Sequence, residues 1–311
     1  MSDRPAYRDL PLLEEGSDYR HVWDYSPAGD NLGCLANLTP GARLAGLAAA
    51  REGVTVSVTL PLNLPDPPLF GREVYSHTIF AAGRNNLDDK LDAFYPQSST
   101  QWDGFRHVRA RQFGFFTGYT GDFSGADAGR LGVSHWAAGG IIGRGVLLDF
   151  AARFAAEQEA GTADPGYAVS AAELRAAGEG LIQPGDIVCV RTGWMGRYLA
   201  APAPERTRIA GLHVWPGLDA TPEVAELLWD WQVSALAVDN PAVEVAPGSP
   251  AVGSLHRRLV PLLGMPLGEL YDFERLAAEL AGRQRREFLF VSVPLNLPGG
   301  VGSTGNAVTV L

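Results

Sequence analysis

Apolar positions follow two different periods along this chain, and each period predicts its own kind of element. The alanine- and leucine-rich segment from Gly41 to Gly53 predicts a helix, and the β-branched run from Val54 to Leu60 predicts a strand. The phrase from Val56 to Pro65 is echoed near the other end of the chain by Val291 to Pro298. We therefore expect the two ends to contribute related strands that lie near each other in one sheet.

Predicted strands and helices alternate in the second half of the chain. Gly139 to Asp149 runs into an alanine-rich helix, and Ile187 to Arg191 is an apolar strand that follows a turn. Ser170-Ala171-Ala172-Glu173 is a capping box that begins another helix. The same patterns predict a helix over 221–231 and a strand over 233–238. This alternation predicts an α/β class, with residues 1–40 as an N-terminal extension that packs on a domain over 41–311.

Composition and charge limit the classes of partner. The chain has 311 residues, of which 46% are hydrophobic, and this suits a large core. Its formal net charge is −10 with scattered charges, so we expect no nucleic-acid partner, because phosphate binding requires a basic surface. No apolar run approaches the ~18 residues of a membrane span, and the first residues lack the apolar core of a signal peptide. These features predict a cytoplasmic protein without a membrane partner.

The segment from Gly300 to Gly305 fits the Gly-x-Gly-x-x-Gly pattern of dinucleotide-binding proteins. Only the six residues from Asn306 to Leu311 follow it, and they predict a strand. A pyrophosphate requires the N-terminus of a helix at this position, which so short a remainder does not provide. We therefore interpret the glycines as a turn between edge strands.

Two pairs of residues offer chemistry. Asp103 and His107 are four positions apart in an aromatic, glycine-containing segment, which is typical of a shaped loop rather than a regular helix. His256 and Glu269 flank the apolar stretch from Leu262 to Pro266. Taken alone, such residues are more often surface hydrogen-bonding partners than a metal site.

The first pair lies in a segment that resembles the signature of the cyclase or kynurenine formamidase-like metallohydrolases, His-x-Gly-Thr-His-x-Asp-x-Pro-x-His. Three residues match this signature: Thr100, Asp103 and His107. Among the departures, Gln97 and Gln101 occupy the places of the two leading histidines, and Phe105 occupies that of the proline. The second pair resembles the C-terminal pattern of the family, in which a histidine precedes a Glu-Leu pair by about a dozen residues.

Further short segments resemble those of the family and occur in the same order along the chain, over roughly residues 55–311. They comprise Pro184 to Val188, Arg191 to Trp194, Ala237 to Pro241 and Gly299 to Ser303. The resemblance implies the swivelling β/β/α fold of these hydrolases and, by analogy with family members, a homodimer or homotetramer.

The resemblance also implies roles for the matching residues. In the family, the two leading histidines and the aspartate hold one metal ion, and the aspartate, the late histidine and the glutamate hold a second. The final histidine of the signature shuttles protons. For this chain it implies Asp103, His256 and Glu269 as metal ligands and His107 as the proton shuttle.

The two glutamines change the expected metal content. An amide oxygen is a weaker ligand than imidazole and suits Mn²⁺ or Mg²⁺ better than Zn²⁺. We therefore expect a single divalent ion, Mn²⁺, Zn²⁺ or Mg²⁺. Gln97 and Gln101 are then either auxiliary oxygen ligands of that ion or hydrogen-bond donors to the substrate, and the sequence leaves both open.

Aromatic residues surround the signature and suggest the class of substrate. Trp102 and Phe105 lie between the candidate ligands, so we expect them to contact an aromatic or cyclic substrate, as in kynurenine formamidase or isatin hydrolase. His213 lies in a loop with tryptophan, proline and glycine, and this composition fits either a pocket-lining or a structural histidine.

Three functions are compatible with these residues. The first is a metal-dependent amidohydrolase that opens a C–N bond in an aryl formamide or a cyclic amide, as an arylformamidase does in tryptophan catabolism. The second is a metal-dependent cyclase or lyase of secondary metabolism, in which the ion polarises a carbonyl for enolisation. The third is a non-catalytic binding protein, against which the retention of all four of Asp103, His107, His256 and Glu269 argues.

Overall fold

The computed structural model describes residues 4–27 and 29–311. Its strands are β1 (Thr55–Ser57), β2 (Ser76–Gly83), β3 (Asn86–Asp92), β4 (Gln101–Asp103), β5 (Ile141–Asp149), β6 (Ala168–Val169), β7 (Ile187–Arg191), β8 (Gly217–Leu218), β9 (Ala235–Val238), β10 (Leu267–Glu269), β11 (Glu287–Ser292), β12 (Gly302–Thr304) and β13 (Ala307–Val310). Its α-helices are α1 (Pro40–Ala49), α2 (Ser134–Ala137), α3 (Ala151–Glu159), α4 (Ala171–Gly178), α5 (Trp194–Ala200), α6 (Ala203–Leu212), α7 (Pro222–Asp230), α8 (Leu255–Arg257) and α9 (Glu274–Ala281).

Nine strands form one mixed sheet in the order β1-β13-β11-β5-β7-β9-β10-β4-β12. The neighbouring pairs from β5 to β10 are parallel, and the strands on both sides of this centre pair antiparallel. Helices cover the parallel centre: α1 packs on β5 and β11, and α4 packs on β5 and α7. The α/β class and the fold implied by the resemblance are both confirmed.

The central strands are apolar along their whole length because both faces of the parallel centre are covered. Residues Ile187 to Val190 of β7 are buried, as are all four residues of β9. The predicted capping box is present at the start of α4, where Ser170 and Glu173 satisfy each other's backbone N–H groups. Short predicted motifs therefore locate the elements that frame the sheet.

The two echoing segments do lie in one sheet, since β1 and β11 both pair with β13. The glycine-rich segment differs in part from the expected turn. Residues Gly302 to Thr304 pair with β4 as an edge strand, and only Gly305 and Asn306 remain to connect β12 with β13.

Residues 4–40 contribute side chains to the same core as the sheet, among them Tyr7, Leu10 and Val22. The indole of Trp229 donates a hydrogen bond to the carbonyl of Pro5 at 3.0 Å. The boundary between an extension and a domain at residue 40 stays a prediction. Within the part of the chain that the structure describes, no helix has the length and apolar character needed to cross a membrane.

The hairpin formed by β2 and β3 stands apart from the nine-stranded sheet, and every one of its strand residues is exposed. Ile79 lies opposite Asp89, Ala81 opposite Leu87 and His77 opposite Leu91, so the side chains of these six residues share one face. An isolated two-stranded hairpin is marginally stable in water. We therefore expect the apolar side chains of this face to pack on another surface, and the expected homo-oligomer supplies one.

Replacing Ile79 and Leu87 by aspartate is expected to dissociate the oligomer into single chains, because the charges would be buried in the contact. Light scattering coupled to size-exclusion chromatography measures the mass. Thr78→Asp on the opposite face of the hairpin is the matched control and should leave the mass unchanged. A double variant with the wild-type oligomeric mass, or a monomeric wild type, would contradict this expectation.

Candidate functional site

Strand β4 carries two of the candidate residues on one face. Successive side chains of a strand point to opposite faces, so Gln101 and Asp103 project to the site while Trp102 projects away from it. The antiparallel pairing of β4 with β10 places Glu269 directly opposite Gln101. The register of two short strands thus brings together residues that are distant in sequence.

His256 enters the site from α8, whose first turn is capped by the side chain of Ser254. Glu244 fixes the orientation of its ring. One carboxylate oxygen of Glu244 accepts hydrogen bonds from the backbone N–H of His256 at 2.7 Å and from its Nδ1 at 2.8 Å. The other accepts from the Ser254 hydroxyl at 3.1 Å. The Nε2 atom of His256 is therefore directed away from Glu244.

That Nε2 atom lies 3.0 Å from Oε1 of Glu269 and 3.4 Å from Oδ2 of Asp103. One ligand atom from each of Asp103, His256 and Glu269 lies within 4.8 Å of the other two. Although it is close to His256, Oδ2 of Asp103 is buried without a hydrogen-bond donor among the described residues. The structure thus brings together the three residues predicted as ligands, and their binding of an ion stays a prediction.

The site concentrates negative charge in a buried volume. Burial and the charge of Asp103 raise the pKa of Glu269. Burial alone would lower the pKa of His256, but Glu244, Asp103 and Glu269 together hold it well above its usual value. A divalent cation would replace the protons that this cluster otherwise retains. The donor set of two carboxylates and one oriented imidazole, with an unpartnered carboxylate oxygen, therefore fits one divalent ion.

The two glutamines contact the carboxylates through their amide nitrogens. Gln97 donates from Nε2 to Oδ1 of Asp103, and Gln101 donates from Nε2 to Oε2 of Glu269. The sequence did not predict these contacts, and the two roles that it left open, metal ligand and donor to the substrate, stay predictions. Each amide holds one carboxylate oxygen, so the second oxygen of each carboxylate faces His256.

His107 lies beside the cluster, at the end of a turn in which its N–H donates to the carbonyl of Gly104 at 2.9 Å. Its Nδ1 is 3.1 Å from Nε2 of Gln97, and its Nε2 is 3.7 Å from Oδ2 of Asp103. Since the amide of Gln97 is a donor, the neutral ring carries its proton on Nε2. Burial lowers the pKa of His107 against the opposing effect of Asp103.

Residues 101–107 form a strand followed by a turn, where the sequence predicted a loop. This difference corrects the expected role of the aromatic residues in the segment. Trp102 and Phe105 are fully buried in the hydrophobic core. The indole of Trp102 donates to the hydroxyl of Ser292 at 2.9 Å, and the ring of Phe105 packs against Trp136. Neither is placed to contact a substrate, because period-two alternation turns Trp102 to the core face.

His213 lies at the end of α6 in an aromatic group with Phe70 and Trp215. Its ring is 6.3 Å from that of Phe70 and 6.2 Å from that of Trp215, between ring centroids. The indole of Trp215 donates to the carbonyl of Glu244 at 3.0 Å. This group is therefore connected to the residue that orients His256. Sequence reasoning missed Glu244, Phe70 and Trp215 because no motif marks them.

The family comparison agrees with this architecture. The family model described as "Putative cyclase" matches residues 54–245. The chain belongs to the Cyclase family. A comparison with curated protein sequences gives no match.

Solved structures are similar over most of the chain. A crystal structure described as a novel cyclase has 26% sequence identity and a TM-score of 0.80, covering 94% of this chain and 97% of its own. Isatin hydrolase A from Labrenzia aggregata, bound to benzyl benzoate, has 19% identity and a TM-score of 0.58, with coverages of 86% and 96%. A predicted metal-dependent hydrolase from Bacillus stearothermophilus has 15% identity and a TM-score of 0.51, with coverages of 82% and 97%. The last two show a shared fold.

The glutamine contacts predict the metal content of this Cyclase-family chain. We expect about one tightly bound divalent ion per chain, because Asp103, His256 and Glu269 are the one group of three such side chains among the residues that the structure describes. Replacing both Gln97 and Gln101 by histidine should raise zinc affinity and permit a second ion. Metal analysis by mass spectrometry measures both quantities.

The matched control for this pair is Gln284→His, which adds an imidazole at an exposed position. It should leave the metal content unchanged. Two tightly held zinc ions in the unmutated chain would show that the glutamines do not limit the site.

Proposed function

We propose that this Cyclase-family chain is a metal-dependent hydrolase that opens the C–N bond of an aryl formamide or a cyclic amide. The observation that carries the proposal is the meeting of Asp103, His256 and Glu269 with His107 beside them. A divalent ion held by the three ligands would polarise a carbonyl group and lower the pKa of a water molecule.

The residues around that ion have separable tasks. Glu244 holds the ring of His256 so that Nε2 faces the ligand cluster. Gln97 and Gln101 each occupy one carboxylate oxygen of the cluster and restrict its rotation. Residues that form hydrogen bonds with metal ligands commonly set the orientation of those ligands and their affinity for the metal.

His107 is the group that moves the proton. Hydrolysis of an amide requires a proton on the leaving nitrogen, and a positioned imidazole is the side chain best suited to supply it near neutral pH. The hydrogen bond from Gln97 to Nδ1 leaves the proton on Nε2, the nitrogen that lies 3.7 Å from Asp103. We assign the transfer to this Nε2 atom.

The aromatic group supports an aromatic or cyclic substrate. Phe70, His213 and Trp215 lie together, and Phe70 is 45% exposed, so it can contact a ligand without a core rearrangement. These residues take the substrate-contacting role that the sequence assigned to Trp102 and Phe105. Three structures of the same fold are named as isatin hydrolases, and isatin is a cyclic amide.

The reaction is tested with N-phenylformamide and isatin in water enriched in ¹⁸O, with Mn²⁺ added. Hydrolysis predicts one ¹⁸O atom in the formate released from the first compound or in the carboxylate formed from the second. Turnover of a cyclic substrate without ¹⁸O incorporation would instead indicate the cyclase or lyase. Absence of turnover with metal bound would favour the binding protein.

His107→Ala should lower kcat by ~10²- to 10⁴-fold while the metal content stays intact, because the variant removes only the proton transfer. His135→Ala, which removes an exposed imidazole, is the matched control and should keep the wild-type rate. Loss of the metal from His107→Ala would make His107 a ligand, and an unchanged rate would remove it from the mechanism.

A further inference from the structure

Arg72 has a buried guanidinium nitrogen without a partner. Its Nη1 is inaccessible to solvent and has no hydrogen-bond partner, and within residues 4–27 and 29–311 its side chain forms no ion pair. Three other arginines with buried side-chain groups are matched by carboxylates: Arg258 by Asp18 at 2.6 Å, Arg144 by Asp186 at 2.7 Å and Arg191 by Glu274 at 2.6 Å. Leaving a buried charged donor unpaired is costly. The Nε atoms of Arg4, Arg43 and Arg130 are also buried without a partner, so Arg72 is singled out by its position beside the candidate site.

The charge of Arg72 reaches the candidate metal cluster. Burial lowers the pKa of Arg72, whereas the negative charges of Glu269 and Asp103 act to raise it. In turn, the positive charge of Arg72 contributes to lowering the pKa of His107. The guanidinium is therefore within electrostatic range of the ligands and of the proton shuttle, yet it contacts neither carboxylate directly.

The turn that carries Arg72 is fixed to the site. Its N–H donates to the carbonyl of Leu69 at 3.3 Å, and Leu69 is buried in one cluster with Trp215 and Leu270. Leu270 follows Glu269 directly in the chain, so this cluster ties the turn to the ligand residue. The carbon at the centre of the guanidinium lies 5.4 Å from the ring centroid of Phe70. One turn thus supplies both an aromatic surface and a cation.

We infer that Arg72 binds a carboxylate group on the substrate and so makes this chain specific for anionic aromatic amides. The guanidinium is a planar donor that matches a carboxylate with two parallel hydrogen bonds. A substrate with its ring on Phe70 would reach Arg72 with a carboxylate group, because the guanidinium lies 5.4 Å from the ring centroid of Phe70. This assignment rests on the proposed function and adds the substrate class to it.

Matched substrates test the inference through kinetics. 2-Formamidobenzoate carries a carboxylate beside the formamide, and N-phenylformamide lacks it. For Arg72→Met we expect kcat/KM to fall ~10- to 100-fold more with the anionic substrate than with the neutral one, chiefly through KM. Arg72→Lys should recover part of the loss. Arg8→Met, at an exposed arginine, is the matched control and should behave as the wild type.

Equal losses with both substrates would overturn the inference, because they would place Arg72 on the carbonyl that the two compounds share. Unchanged kinetics with both would overturn it too.

Binding tests the same inference without turnover. Calorimetry should detect 2-aminobenzoate but not aniline in the wild type with Mn²⁺, and Arg72→Met should weaken the 2-aminobenzoate affinity by a similar factor while retaining the metal. If the chain is not a hydrolase, the difference in binding persists although no turnover is measured. The proposed function and the role of Arg72 therefore fail separately. Equal affinity of wild type and Arg72→Met for 2-aminobenzoate would contradict the role of Arg72.

Discussion

The crowding of three carboxylates, two of them buried, around one imidazole is the constraint on which the candidate site depends. Taking an unpaired charge out of water costs several kcal/mol per ion. Asp103 and Glu269 are buried beside His256, and the half-buried Glu244 contacts the other side of its ring. Without a cation the cluster must retain protons, and this explains the raised pKa values of Glu269 and His256. A bound divalent ion would compensate the same negative charge without those protons.

The nine-stranded sheet provides the rigid frame for that cluster. Glu269 ends β10, a strand parallel to the buried centre of the sheet, and the antiparallel β4 aligns Gln101 and Asp103 beside it. The pairing of β4 with β12 closes the other side, where Gly104 lies so near the carbonyl of Val301 that a Cβ atom would be 2.3 Å from that oxygen. Glycine at 104 is therefore required by a close backbone approach. The positions of the two candidate carboxylate ligands follow from strand register and not from a flexible loop.

Sequence patterns predicted the elements whose signals are local. The boundaries of β7 follow from a short apolar run that is buried on both faces, and the start of α4 follows from its capping box. The candidate ligands were found through the ordered resemblance to the Cyclase family, since spacing alone could not show that Asp103 and Glu269 lie on adjacent strands.

Other features depend on tertiary structure and left no local signal. The direction of Trp102 follows from strand alternation, which a loop prediction misses. Glu244 and Arg72 lie outside every motif, and their importance comes from the groups that the fold places around them. The exposed hairpin likewise has a strand-like sequence that does not reveal whether the body covers it.

The most direct test is a crystal structure of the protein with Mn²⁺, with anomalous diffraction recorded near the manganese edge. The account predicts one strong anomalous peak per chain within about 2.0 to 2.6 Å of oxygen or nitrogen atoms of Asp103, His256 and Glu269. Gln97 and Gln101 should keep their amide nitrogens on the carboxylates. A peak held by the glutamines, or no peak with His256 still hydrogen-bonded to Glu269, would contradict the account.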